Sequence, residues 1–371
     1  MKNNEPIEIS EQAFEEKSIS ETIKTPWFES EAISGFLKTL FTLVIALIMG
    51  AIVMQLSGKD SIGAYTALFK SSLGSKTAIA NTLLAATPLI FTSLAAVIAF
   101  RAGIFNVGAE GSLYLGGFAA AWVGFTFTNL PAYLIIPLSF LAAAVFGGLW
   151  CFFPGVLKAR LGVDELVTTI LLNYVAILFT EYLVNGPFLV PGVANAMSAE
   201  IAPTARLTRL MPPSQLNSSF ILAVVVGLII TVIMKKTRLG YEIRAVGDNA
   251  TFTKWAGINV PFVIEKVMLI GGVLGGLAGA GQVMGVHYRF VAGFSSGLAF
   301  TGMTVALLVR NSPVGAIIAS LLFGILRSGS STMEIFTDVP RDLIKVLEAT
   351  IIFFAAMEFG INWLRRRKND R

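Results

Sequence analysis

About 20 apolar residues in a row cross a bilayer as a helix, and this chain carries such runs from near one end almost to the other. They fall at 36–56, 78–100, 104–125, 132–153, 166–184, 220–234, 262–285, 298–309, 313–326 and 343–364. In hydrocarbon each backbone polar group must be satisfied within the chain, so runs of this kind fold as helices. The pattern predicts an all-α polytopic membrane protein of about ten transmembrane helices. The runs at 298–309 and 313–326 are short for full crossings, which leaves room for broken or re-entrant pieces covered by protein. Composition agrees. Of 371 residues 55% are hydrophobic and 14% charged, against about 25% charged in soluble domains.

The formal charge of +5 is not gathered into a stripe that would suit nucleic acid. Basic residues sit between and after the runs: Lys158 and Arg160, then Lys235, Lys236, Arg238, Arg244 and Lys254, then Arg310, then the tail RRRKNDR. That bias places both termini inside, with Lys59, Lys70 and Lys76 as exceptions on the outer side. The chain divides into a polar, acid-rich cytoplasmic tail (1–35), a membrane domain (36–364) and a basic C-terminal tail (365–371). The leading tail has no basic segment running directly into an apolar one, so a secretory signal is not expected. Residues 185–219 carry five prolines and read as an irregular external connection, and 235–261 reads as an inner loop.

Two stretches echo each other. RAGIFNVGAEGSLYLGG at 101–117 follows one apolar run from the inside, and RFVAGFSSGLAFTGM at 289–303 follows another from the outside. An inverted repeat would give this relation, with a pathway at the repeat interface; so would chance among Gly- and Ala-rich spans.

Enzyme signatures are missing from the sequence. There is no GxxxxGK[ST] for nucleotide phosphates and no HExxH or CxxC. The single histidine, His287, lies at a span end and reads as a solvated interface residue; the single cysteine, Cys151, reads as inert core. Polar groups within the spans are more informative, because an ionisable side chain at membrane depth faces protein or water. In FNVGAEG, Phe105, Asn106 and Glu110 are spaced by glycines that permit a helix break, so the segment either lines a path or forms a packed turn. In LGVDELVTTILLNYVA, Asp164 suits a helix N-cap, while Thr168, Thr169 and Asn173, with Tyr174 adjacent, mark a polar stripe. Such a stripe either lines a pathway or hydrogen-bonds between helices. Gln282, in the Gly-rich run at 262–285, is a further lining candidate beside a purely packing role.

The inner loop holds GYEIRAVG. Tyr241, Ile243 and Val246 would form the apolar side of a short helix, Glu242 and Arg244 would point outward, and Gly240 and Gly247 would bracket it as terminators. A helix of two turns is not stable alone and needs a surface to lie on.

RAGIFNVGAEG, LGVDELVTTILLNYVA and RLGYEIRAVGDN together resemble the membrane permease subunits of ABC importers of the branched-chain amino acid/ribose/simple-sugar class. The likeness covers roughly 36–365, and FNVGAEG with VTTILLNY is most similar to nucleoside permeases. It implies a transport subunit and not an enzyme, in the plasma membrane. Its partners would be a second permease subunit, identical or paralogous, a cytoplasmic ABC ATPase, and an external binding lipoprotein or periplasmic protein. ATP and Mg would sit on the ATPase, with no cofactor on this chain. The resemblance assigns 240–247 to ATPase coupling and puts Asn106, Glu110 and Asn173 near the path. Nucleosides are neutral, flat and rich in hydrogen-bonding groups, which amides and aromatics such as Phe105, Asn106, Tyr114, Asn173 and Tyr174 would suit; a simple sugar would suit them too. A secondary transporter with Glu110 or Glu181 in ion coupling is the rival reading.

Overall fold

The structure is a computed structural model that describes residues 44–192 (46 apart), 195–337 and the isolated positions 346, 349, 350 and 353. The tails at 1–35 and 365–371 and most of the run at 343–364 lie outside the described residues. The helices are α1 (Leu47–Leu56), α2 (Ser61–Leu73), α3 (Lys76–Arg101), α4 (Ala109–Thr126), α5 (Ala132–Leu161) and α6 (Glu165–Asn185). After a long connection come α7 (Ser219–Lys236), α8 (Arg238–Trp255), α9 (Val260–Gln282), α10 (Leu298–Leu308) and α11 (Pro313–Thr337). A π-helical turn, Val283–His287, extends α9. Among the described residues there is no β-strand, only isolated bridges between Met197 and Val291 and between Arg209 and Asn217.

Six helices among the described residues are long and apolar enough to cross a bilayer. Their starts follow local chemistry. Ser75 accepts from the Ala78 amide (3.0 Å) to open α3, and Asp164 accepts from Val167 (3.0 Å) to open α6, as its spacing predicted. Gly162, at φ +67°, ends α5 in a left-handed cap.

Three expectations need correction. The run at 104–125 becomes helical only at Ala109, because 104–108 is held in a non-helical turn by Glu165 and Asn173 of α6 and by its own Asn106. The run at 313–326 is no fragment: α11 continues to Thr337, 25 residues in all, and Gly329, beyond the apolar run, still lies against Leu68 of α2. A helix at 61–73 was not foreseen at all. The run at 298–309 is short as expected; its 11 residues reach about half the roughly 30 Å hydrocarbon core.

The tightest packing joins α9 to α4 and α5. Gly272 and Gly276 lie against Gly147 and Ala143 of α5, and Gly275 and Gly279 lie against Ala109 and Leu113 of α4. Each pair has the small-x-x-x-small spacing that lets helix backbones approach in lipid. Helix α4 is buried along nearly its whole length, whereas α6 and α7 present wide apolar faces outward. The 185–219 connection is irregular, as expected, but closely tied down. Ile201 and Leu207 donate from their amides to the carbonyls of Tyr288 (2.9 Å) and Met284 (3.1 Å), so the connection covers the end of α9.

Candidate functional site

The turn between α3 and α4 gathers several of the polar residues singled out in the sequence. Asn106 is 2% exposed, and its Oδ1 accepts from the Gly108 amide (2.8 Å). Asn173 reaches across from α6: its Nδ2 donates to the Val107 carbonyl (3.0 Å) and its Oδ1 accepts from the Gly111 amide (2.8 Å). Glu165, also on α6, pairs with Lys158 (2.7 Å) and accepts from the Phe105 amide (3.4 Å). Ser112 donates to the Gly147 carbonyl (2.9 Å) beside Cys151, which is fully buried as expected. A broken helix start frees backbone groups at membrane depth, and here side chains from neighbouring helices satisfy them. At this turn, Asn106 Nδ2 and Trp150 Nε1 are buried donors with no hydrogen-bond partner among the described residues.

Glu110 is 4% exposed and sits in the first turn of α4. Its Oε2 accepts from the Ala299 amide (2.9 Å) and its Oε1 from the Gly297 amide (3.3 Å). Gly297 is the N-cap of α10, at φ +84°. One carboxylate thus stands between the N-termini of two helices, where both dipoles favour negative charge. Both of its oxygens are engaged by backbone donors.

The side chains of the remaining path candidates do not join these contacts. Phe105 is half-exposed and tilts against Phe100, with ring centroids 5.2 Å apart. Tyr174, next to the inward-facing Asn173, points away from the bundle at 63% exposure. Gln282 is half-buried at the end of α9. The nearby His287 is not a solvated interface residue: it packs against Phe294 (6.0 Å) at the edge of a cluster formed by Tyr114, Phe118, Phe290 and Phe294. Apart from Tyr114, that aromatic cluster was missed, and the pair Phe290 and Phe294, four residues apart in RFVAGF, was the available signal.

The proposed coupling segment is longer than predicted. Gly240 and Gly247 do not end a short helix; both lie inside α8. Their role is close approach. A Cβ on Gly240 would strike the Ile233–Met234 backbone, and one on Gly247 would strike the Arg101 carbonyl. Thr237 Oγ1 opens the helix by accepting from Gly240 (3.2 Å). Ile243 and Val246 are buried as predicted, but Tyr241 is 60% exposed. Glu242 and Arg244 do not point outward. Glu242 turns in to pair with Arg238 (2.8 Å), and Arg244 donates to the Met234 carbonyl. The physical reason is that an internal helix end and a neighbouring cation offer nearer partners than solvent. At Asn249 (φ −160°, ψ 98°) the helix kinks, and the Asn249 side chain re-caps it by accepting from Phe252 (2.9 Å). Beyond the kink, Phe252 and Trp255 are strongly exposed.

A helical bundle with several crossing-length spans, a broken helix start tied by amides, and a helix packed on the ends of its neighbours define a multi-pass membrane protein. Residues 78–356 match the family described as branched-chain amino acid transport system / permease component, and the chain belongs to that family. It is 36% identical over 335 residues to the guanosine ABC transporter permease protein NupP of Bacillus subtilis (strain 168), covering 90% of this chain and 96% of that one. It is 36% identical over 331 residues to the nucleoside ABC transporter permease protein NupB of Lactococcus lactis subsp. cremoris (strain MG1363), covering 87% and 91%. It is 35% identical over 349 residues to the glucose ABC transporter permease protein TsgB13 of Haloferax volcanii, covering 89% and 91%.

Proposed function

We propose that this chain is the permease subunit of an ATP-driven importer that carries nucleosides across the plasma membrane. The observation that carries the reading is the near full-length similarity to a guanosine permease and a nucleoside permease. The site chemistry is compatible with it: the Asn106 and Asn173 amides and the Phe105 ring stand at the broken start of α4. The bias of basic residues supports placing both termini inside, and the stretches 101–117 and 289–303, joined where Glu110 accepts from Gly297 and Ala299, act as the halves of an inverted repeat. ATP and Mg bind a cytoplasmic partner, whose cycle shifts the permease between two packings. A second permease subunit covers part of the apolar α6 and α7 faces, and an external binding protein delivers substrate. The similarity to a glucose permease supports a simple-sugar cargo as the second reading.

Uptake of labelled uridine, adenosine, guanosine, ribose, glucose and leucine, in cells lacking the gene and in complemented cells, tests the cargo. Loss and rescue of nucleosides alone is expected. Rescue of a sugar instead moves the cargo, and uptake that collapses with an uncoupler at constant ATP favours the secondary-transporter reading. For coupling, α8 docks the ATPase through its exposed aromatics. Tyr241→Ala with Phe252→Ala is expected to cut ATPase co-purification by about tenfold or more, as truncation of aromatic anchors does, with membrane insertion unchanged. Normal co-purification of that variant would remove α8 from the interface.

A further inference from the structure

Where α8 and α9 begin they diverge around a groove of about 440 Å³, bordered by Arg238 and Glu242 on one side and Asn259, Phe262 and Lys266 on the other. Leu239, Ile258 and Val263 give it an apolar floor. Lys266 lies more than a turn inside a crossing-length helix, where a cation is costly without an anion or a route to water. Its Nζ stands over the ring of Phe262, 4.1 Å from the centroid, and among the described residues it makes no ion pair with a carboxylate. Arg238 is paired with Glu242 on one edge, yet its side chain is 90% exposed. Lys235 and Lys236, both exposed, end α7 just before it. Two backbone donors of the α9 start are already used: Asn259 Oδ1 accepts from Phe262 (3.2 Å) and the Asn259 carbonyl from Val263 (3.1 Å). What the groove offers is therefore unmatched positive charge over an apolar floor, at the level where a span leaves the membrane.

We propose that this groove holds the phosphate of an anionic phospholipid, with Lys266 and Arg238 on the phosphate and the glycerol and upper acyl chain along Leu239, Ile258 and Val263. A phosphate-bearing ligand could be free or lipid-borne. The apolar floor and the exposed Phe262 beside it favour the lipid, and basic pockets between helices on the inner side of a membrane bind such headgroups. The site rests on the inside placement of α8 proposed above, not on which cargo is carried. A lipid there would hold the start of α8 against the membrane while its aromatic face remains free.

The full chain, purified from membranes and exchanged into mixed phosphatidylglycerol and phosphatidylcholine, is stripped stepwise with detergent, and retained lipid is counted by native mass spectrometry. Phosphatidylglycerol is expected to outlast phosphatidylcholine. Lys266→Gln should lower its retention about fivefold, the worth of one basic side chain near an anionic surface. Lys266→Arg should restore it, and Lys254→Gln, on an exposed residue outside the groove, should leave it unchanged. Equal retention of the two lipids, or no loss in Lys266→Gln, overturns the site; displacement of the lipid by inorganic phosphate reassigns it to a free anion and overturns the lipid. Because the readout needs no transport, failed nucleoside uptake with charge-dependent retention removes only the cargo reading. Normal uptake with charge-independent retention removes only the lipid site.

Discussion

Gly276→Val is expected to leave almost no folded protein, and Gly276→Ala to lower stability by about 3 kcal/mol, at the upper end of overpacking effects. The cause is the partner. A Cβ at Gly276 runs into the Ala143 carbonyl oxygen of α5, and one at the facing Gly147 would come within 2.9 Å of the Gly276 Cα. These obstacles are main chain, so no rotamer change relieves them and the helices must separate. Separation is expensive here because lipid gives no hydrophobic drive to hold helices together, and close packing supplies much of what does. It would also disturb α4, since Gly275 and Gly279 on the same helix lie against Ala109 and Leu113. Gly281→Ala provides the graded comparison: its Cβ would meet Ser219 Cβ at 3.2 Å, a side-chain contact, and a loss below about 1 kcal/mol is expected. Thermal unfolding of the purified protein and its yield from membranes check the series. Equal melting temperatures for Gly276→Ala and Gly281→Ala would show that the α5–α9 contact is looser than drawn.

Much of this architecture was legible because lipid makes hydropathy decisive. The spans at 78–100, 166–184 and 220–234 come within two residues of α3, α6 and α7. Asp164 capped α6 as its spacing required. Asn106, Glu110 and Asn173 stood out as polar groups in apolar surroundings, and the fold brings them to the two ends of one helix start. Glycine was the weak signal. Gly240 and Gly247 have the same appearance in sequence whether they end a helix or admit a neighbour's backbone, and the neighbours here, Met234 and Arg101, decide for the second. The direction of Arg244 was hidden for the same reason, since its acceptor is a main-chain carbonyl freed at the end of α7. Long-range partners leave no local trace: nothing near Glu110 announces that Gly297 and Ala299, 187 and 189 residues away, supply its donors.

Glu110→Ala is expected to abolish uptake together with most of the folded protein, whereas Glu110→Gln should keep both in part. The carboxylate accepts two amides at the start of α10, and in a buried interior each amide left unsatisfied costs about 1–3 kcal/mol. Removing the side chain also removes a negative charge from between two helix N-termini, worth up to about 2 kcal/mol in a partly buried setting. Alanine loses all of this. Glutamine keeps one acceptor oxygen, but its NH₂ then faces the second amide, so a loss of about 2 kcal/mol is expected, roughly one charged hydrogen bond. The consequence reaches transport through α10, whose 11 residues cannot hold a position at membrane depth without an anchored N-terminus. Uptake normalised to folded protein separates this role from ion coupling. An anchoring carboxylate predicts that Glu110→Gln lowers the melting temperature while each surviving molecule transports at near the original rate. A titrating or cargo-binding carboxylate predicts the reverse, with an unchanged melting temperature and uptake lost in every molecule. That second result would return Glu110 to the pathway and take the α10 anchor with it.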